Sequence, residues 1–206
     1  MNIDWFEEAF RLWISDICRR VPGVVAIDGK AVCRNPDSAG HGMKDRLYMV
    51  SAWAVRNGLC LGQRKVDGKS NEITAIPELI KALDLEQCIV TIDAAGCQKA
   101  IAETIINAGR DYILCVKDNQ KKLKGKILSL LSEEDRIYLP YKQSYFQENE
   151  GHGRTEYREC VCDAVCYPEH FYPGWKGIKT IAKITSVRQV GNAEPTTETR
   201  CYISSL

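Results

Sequence analysis

The chain has 206 residues, of which 45% are hydrophobic and 27% charged, and its formal net charge is +1 at pH 7. These values are typical of a globular domain with a well-buried core, and no apolar stretch approaches the roughly 18 to 20 residues that span a bilayer. The near-neutral charge excludes a strong electrostatic attraction of the whole molecule to nucleic acid, so any DNA contact must come from a local patch. The first residues lack a basic segment followed by an apolar core, and we therefore expect a cytoplasmic protein with no membrane partner.

The first segment is predicted to be an amphipathic helix over residues 3–18. Its apolar side chains recur at helical spacing and include Trp5, Phe10 and Trp13. A stripe of this kind is usually core packing, and we predict that it packs against another surface of the protein.

Two apolar runs that lead into an aspartate organise the middle of the chain. Residues 24–30 contain Asp28 before Gly29, and residues 88–96 contain Asp93 before Ala-Ala-Gly. Continuous apolar runs are typical of strands covered on both faces. A carboxylate buried there needs a positive partner, and two on neighbouring strands would repel unless a divalent cation lay between them. The alternative is that either aspartate simply starts a turn.

The elements around these runs predict a mixed α/β sheet. Further strands are predicted at residues 47–55, 59–66 and 111–117, and helices at 74–83 and 98–108, with a hairpin turn at Asn57-Gly58. A three-strand meander followed by right-handed crossovers makes the first and fourth strands neighbours at the centre of the sheet. Asp28 and Asp93 are therefore predicted to lie side by side at one end of it.

A lysine-rich segment, Lys117 to Lys126, runs into a predicted helix that ends near Leu131. The usual explanation of such a run is a solvated face. Next to a carboxylate metal centre, the same lysines could instead grip DNA phosphates, with hydrogen bonds from Asn119 and Gln120.

The last third of the sequence alternates as strands do. Strands are predicted at residues 151–162, 177–190 and 196–203, with Arg154, Glu156 and Arg158 on one face of the first. They suggest a separate antiparallel layer. The predicted division is a leading helix (1–22), a core (23–132) and an antiparallel β region (133–206).

Several short segments together resemble the DDE-type transposases of bacterial insertion sequences, in particular the H-repeat-associated (Rhs-linked) family. They resemble that family in order and spacing and read Ala26-Ile27-Asp28-Gly29-Lys30, Gly62-Gln63, residues 69–77, residues 89–94, Cys97-Gln98, Asp111-Tyr112, Lys117-x-Asn119-Gln120 and His152-Gly153-Arg154-x-Glu156. The resemblance implies an α/β RNase H-like core, a mixed five-stranded sheet with flanking helices, carrying an antiparallel β insertion.

The resemblance also implies a chemistry. Asp28 and Asp93 would be the first two acidic residues of a catalytic triad that holds two Mg²⁺ or Mn²⁺ ions. One ion activates water or a DNA 3′-hydroxyl, and the other stabilises the leaving oxygen. The expected partner is the DNA of insertion-sequence ends in the bacterial nucleoid, contacted by Lys117, Asn119, Gln120, Lys121 and Arg154.

The third acidic residue of the family is a glutamate on a helix after the antiparallel insertion, and the sequence stops before that helix. It also begins without the small N-terminal domain of the family, so we expect a copy truncated at both ends that lacks this glutamate. Glu156 is one candidate replacement, although a cross-strand salt bridge to an arginine is its more ordinary role. Glu72, at the start of the first crossover helix, is another, and is equally a cap or loop contact.

The alternative function is a catalytically dead fragment that binds DNA or interferes by joining a full-length transposase. Loss of the last helix would expose apolar surface, so we expect self-association or poor solubility.

Overall fold

A computed structural model describes residues 23–31, 48–66, 72–83, 87–132, 142–151, 153–165 and 168–206, together with positions 5, 6, 8–10, 12, 13 and 16. The fold is mixed α/β, with mostly antiparallel strand pairing and few helices among these residues. The chain divides into two compact units, residues 1–113 and 114–206. Within the described ranges, no helix has the length and apolar character needed to cross a membrane.

The first unit is a mixed sheet with helices. Its elements are β1 (Val24–Ala31), β2 (Tyr48–Ala54), β3 (Leu59–Val66), α1 (Glu72–Ala82), β4 (Ile89–Ile92), α2 (Lys99–Asn107) and β5 (Asp111–Val116), and the boundary between the units falls within β5. The strand order is β3-β2-β1-β4-β5, with β1 antiparallel to β2 and parallel to β4. The predicted meander and the central position of the first and fourth strands are confirmed.

Local sequence signals explain where these elements end. Gly58, with φ of 64°, closes the β2–β3 hairpin and donates its N–H to Ala54 O at 3.0 Å, as the Asn-Gly pair predicts. Helix α2 ends at Asn107, and Gly109 follows its cap with a φ of 71°, the left-handed conformation that glycine adopts without strain. The guanidinium of Arg110 then donates to the carbonyl oxygens of Ile80 and Leu83, both at 2.8 Å, and so satisfies the last turn of α1.

The core of the first unit lies between the central strands and the two helices. Its fully buried members alternate on the strands and follow helical spacing on the helices, and they include Val25, Ile27, Val50, Val90, Ile76, Leu79, Ile80, Ile101 and Ile105. On the parallel pair of β1 and β4, the buried side chains are those that face the core, and their alternation along each strand sets the register of the pair.

Two predictions about helices are wrong. The described residues of the leading segment are helical, but Trp5 and Trp13 are 75% and 52% exposed, so the aromatic stripe is not core. Its rings contact one another instead, with Phe10 centred 6.2 Å from Phe6 and 5.9 Å from Trp13. Helix α1 begins two residues earlier than predicted, which puts Pro77 in its interior and removes one donor from the helix hydrogen bonds.

The second unit is an antiparallel meander with one packed helix. Its elements are a 3₁₀ turn (Asp118–Gln120), α3 (Lys121–Leu130), β6 (Gln143–Gly151), β7 (Arg154–Ala164), α4 (Pro168–Phe171), β8 (Thr180–Val190) and β9 (Thr196–Ser204). Strands β6, β7, β8 and β9 pair in that order, each antiparallel to the next. Helix α3 contacts β8 and β9. Leu123 and Ile127 on the helix are buried, as are Ile181 on β8 and Ile203 on β9.

Candidate functional site

The two aspartates follow the last paired residues of the parallel β1–β4 pair. Its register runs from Val24 opposite Ile89 to Ile27 opposite Ile92. Asp28 and Asp93 are the next residue on each strand. Since parallel strands in register present equivalent positions to the same face, the two carboxylates start from adjacent positions at one end of the pair.

Asp28 does not start a turn, because β1 continues through Gly29 and Lys30 to Ala31. Its side chain is 56% exposed, and Oδ2 lies 3.8 Å from Nζ of Lys30, two residues along the same face. The expectation that burial forces a partner on this carboxylate is therefore wrong. The pair with Lys30 is long and exposed, so it contributes little to stability.

Asp93 does start a turn, as the alternative interpretation proposed for it. Its Oδ1 accepts the N–H of Ala95 at 3.1 Å, which fixes the side chain against the loop that follows β4. The loop then passes close to the strand, because a Cβ on Gly96 would lie 2.2 Å from Cγ2 of Ile92. The turn uses one carboxylate oxygen of Asp93 and holds the residue at the end of β4.

Glu72 also reaches this end of the sheet. It is the first residue of α1, and its carboxylate lies over the backbone of Gly29, where a Cβ would be 2.3 Å from Oε1 and 2.4 Å from Cδ. Its pKa is raised from the ordinary value, mainly by partial burial and further by the charges of Asp93 and Asp28. The sequence interpretation weighed Glu72 both as a candidate third carboxylate and as a cap or loop contact, and the structure brings it within electrostatic range of both aspartates.

These side chains are not preassembled as a metal site. In the ranges that the structure describes, no group of three His, Cys, Asp or Glu residues is arranged to hold an ion. The chemistry of the donors nevertheless fits Mg²⁺ or Mn²⁺, since both ions prefer carboxylate oxygens. The space beside Gly29 that a Cβ would fill is occupied by one of those carboxylates, that of Glu72.

Glu156, the other candidate for a third carboxylate, has an arginine partner. It lies on β7, where its Oε1 accepts hydrogen bonds from Nε and Nη2 of Arg158 at 3.2 and 2.9 Å. A salt bridge was predicted here, but it runs along the strand to the residue two positions on. The residue across the strand pair is Arg188. Glu156 is thus held by an arginine of its own strand, and its side chain is mostly buried.

The lysine-rich segment divides into engaged and exposed lysines. Lys124 pairs with Asp118 at 3.0 Å, and Lys126 donates to the carbonyl oxygen of Phe171 and lies 5.0 Å from the centre of its ring. Lys117 and Lys121 are exposed. These two, together with Asn119 and Gln120, surround the start of α3.

Arg154 lies away from the lysines at the start of α3. Lys117 lies close enough to Glu198 to help lower its pKa, after Arg200 on the same strand. Glu198 is in the register row that contains Ser186 and Arg158. Arg154 is four residues further along β7, about 13 Å at the usual strand rise. The predicted DNA contacts in the second unit therefore form two separate sets.

Comparison with known proteins identifies the protein family. The family model described as "Transposase DDE domain" matches residues 19–171, which is well over half of the chain. The chain belongs to the family of transposases with a DDE domain, as the resemblance in sequence indicated.

Particular relatives are bacterial. The chain is 38% identical over 206 residues to the "H repeat-associated putative transposase YhhI" of Escherichia coli K12, covering 97% of this chain and 53% of that protein. It is 41% identical over 196 residues to the "Putative transposase YncI" of Escherichia coli O157:H7, covering 91% of this chain and 48% of that one. The chain thus spans about half the length of these curated relatives. A solved synaptic complex of piggyBac transposase with hairpin DNA aligns with a TM-score of 0.41 and 11% identity, over 93% of this chain and 35% of that chain.

Proposed function

We propose that this chain carries the RNase H-like core of a DDE transposase, with Asp28 and Asp93 as ligands of a divalent cation used in phosphodiester hydrolysis and strand transfer at insertion-sequence ends. The observation that carries the proposal is the register of β1 and β4, which brings both aspartates to adjacent positions. The strand order of the first unit, a meander continued by a crossover to the parallel strand β4, supports the same core.

Each residue has a separate task in this proposal. Asp28 supplies an exposed carboxylate from a strand that continues past it, so its backbone is held on both sides. Asp93 is oriented by its hydrogen bond from Ala95. A bound Mg²⁺ or Mn²⁺ would activate the attacking hydroxyl and stabilise the leaving oxygen. Because metal ligands are held best by residues on rigid elements, the strand ends are suitable positions.

DNA would be held by charges outside this acidic pair. The exposed Lys117 and Lys121 near the start of α3 are proposed to contact backbone phosphates, assisted by Asn119 and Gln120. Arg154 would contact a separate part of the DNA. Contacts of this kind position DNA without reading its sequence, so they predict binding that weakens as salt rises.

The test is Mn²⁺ binding by titration calorimetry. We expect the wild-type chain to bind Mn²⁺, and Asp28→Asn and Asp93→Asn each to lower the affinity by about tenfold or more. Glu78→Gln is the matched control, because Glu78 is an exposed acid of the same unit that pairs with Arg64 at 2.7 Å. Equal affinity in the wild type and both aspartate variants would overturn the site.

Activity is tested on supercoiled plasmid DNA, which needs no knowledge of the end sequence. Nicking that requires Mn²⁺ and is lost in Asp28→Asn supports the enzyme. Retarded migration of the DNA without nicking, in a chain that binds Mn²⁺, supports the alternative of an inactive DNA-binding protein.

A further inference from the structure

Glu72 occupies a position that only a glycine at residue 29 permits. An ideal Cβ on Gly29 would meet the Glu72 side chain at three atoms, Oε1 at 2.3 Å, Cδ at 2.4 Å and Cγ at 3.0 Å. Real Cβ atoms do not approach other atoms this closely. Glycine inside a strand weakens it, so its presence here is explained by the close approach of another group.

The carboxylate lies beside a stretch of β1 that extends beyond its parallel neighbour. The register of β1 with β4 ends at Ile27 opposite Ile92, whereas β1 continues to Ala31. Gly29 is on this extension, immediately after Asp28. The end of β4 and the extension of β1 thus meet at the place where α1 delivers its first residue.

We propose that Glu72 is the third carboxylate of the divalent-cation site formed with Asp28 and Asp93, supplied by the helix that follows β3. This inference rests on the proposed function, since it assigns one more ligand to the same site. Glu156 is the poorer candidate, because Arg158 holds its carboxylate. The assignment of Glu72 also gives Gly29 a role, which is to let the glutamate reach the strand end.

A structural role for Glu72 makes a different prediction. An acidic residue in the first turn of a helix is stabilised by the helix dipole, and this alone would explain its presence at the start of α1. A glutamate that interacts only with the helix dipole does not have to lie close to β1, however, and such a role would not require a glycine at residue 29. The carboxylate instead sits against Gly29, the residue that follows Asp28 on β1, where a Cβ would overlap it.

The experiment compares Glu72→Gln with Glu78→Gln, which makes the same chemical change six residues further along the same helix. Mn²⁺ affinity is measured by calorimetry, and the rise in Tm on adding Mn²⁺ is measured in parallel, because a ligand that binds only the folded state raises Tm. We expect Glu72→Gln to lose about tenfold or more in affinity and most of the Tm rise, and Glu78→Gln to match the wild type. Wild-type affinity in Glu72→Gln would overturn the inference.

A second variant moves the carboxylate without changing its charge. Gly29→Ala should displace the Glu72 side chain and lower Mn²⁺ affinity in the wild-type background, with no further loss in the Glu72→Gln background. An equal loss in both backgrounds would show that the alanine acts on Asp28 directly, and would count against Glu72.

The two proposals fail in distinguishable ways. If the wild type does not bind Mn²⁺, or if Asp28→Asn and Asp93→Asn bind it normally, the proposed function fails and this inference fails with it. If both aspartate variants lose binding while Glu72→Gln keeps it, only the assignment of Glu72 is wrong.

Discussion

Two acids of the second unit and one of the first unit have opposite surroundings. In the second unit Glu198 pairs with Arg200 at 2.8 Å and Asp118 with Lys124 at 3.0 Å, and these basic partners lower the pKa of both carboxyls. At the end of β1 and β4 the pKa of Glu72 is raised instead, by partial burial and by neighbouring acids. An acid with its own basic neighbour stabilises the unit that contains it. Acids that crowd one another cost stability, and a cation relieves that cost.

The contrast is not simply one of unit against unit. Glu78, on the same helix as Glu72, has Arg64 at 2.7 Å and so resembles the paired acids. What separates Glu72 is its place over Gly29. Position at a strand end, rather than acidic character alone, therefore distinguishes a candidate ligand from a surface acid.

The largest effect on stability is expected from a substitution at Gly96, in the turn that follows Asp93 and packs on the core. Alanine at Gly96 would place its Cβ 2.2 Å from Cγ2 of the buried Ile92 and 3.2 Å from Cδ1 of Ile76. Because a branched core side chain has little room to move, we expect Gly96→Ala to lower the free energy of unfolding by about 1–3 kcal/mol. Urea denaturation measures it.

Gly151→Ala is the control for that variant, since a Cβ there meets nothing within 4 Å. If Gly96→Ala and Gly151→Ala unfolded at the same urea concentration, the turn that orients Asp93 would not be tightly packed. The contrast between a fixed acidic site and a solvated polar surface would then be weaker.

In the lysine-rich helix α3, the same change from glycine to alanine should raise stability. Gly125 lies inside α3, is exposed, and would place a Cβ in open space. Glycine in a helix interior costs about 0.5–1 kcal/mol relative to alanine, so Gly125→Ala should stabilise the protein by roughly that amount. A rise in the thermal midpoint tests it. An unchanged or lower midpoint would mean that the alanine meets a neighbour or that the helix is not formed in solution.

A smaller effect on stability is expected from a substitution of Glu156, an acid with a basic partner. Glu156→Gln removes the charge of an acid whose side chain is only 14% exposed and whose partner, Arg158, is 45% exposed. Glutamine keeps an oxygen that can accept from Arg158, so only the ionic part of the pair is lost, about 1 kcal/mol at most. Stability should therefore fall by no more than that, and Mn²⁺ affinity measured by calorimetry should equal that of the wild type. A marked loss of Mn²⁺ affinity would identify Glu156 as a ligand and reverse the assignment of the two acids.

Much of the first unit followed from local signals. Strand β3 has the predicted bounds, residues 59–66, because an Asn-Gly turn fixes where it begins. The adjacency of β1 and β4 followed from the handedness of crossover connections, which needs only the order of elements. The roles of Asp28 and Asp93 as metal ligands remain a proposal.

The contacts made by Glu72 could not be predicted in the same way. They depend on where α1 lands relative to β1, and local periodicity carries no information about that distance. The one available signal is Gly29 inside an apolar strand, which can mark close approach of another group but is equally consistent with an Asp-Gly turn. The exposed aromatic stripe of the leading helix shows the same limit, because helical spacing identifies a face without showing what covers it.

The smallest effect concerns the pH dependence of the exposed pair at the start of α3. Hydrogen bonding and charge from Lys124 lower the pKa of Asp118 below its ordinary value of 3.8. A depressed folded-state pKa stabilises the protein above the unfolded value, and this contribution is lost as pH falls through the folded value. The wild type should therefore unfold at a slightly higher temperature than Asp118→Asn at pH 7, and the gap should close below about pH 4. A gap that persists at low pH would assign the effect to the start of the helix rather than to the ion pair.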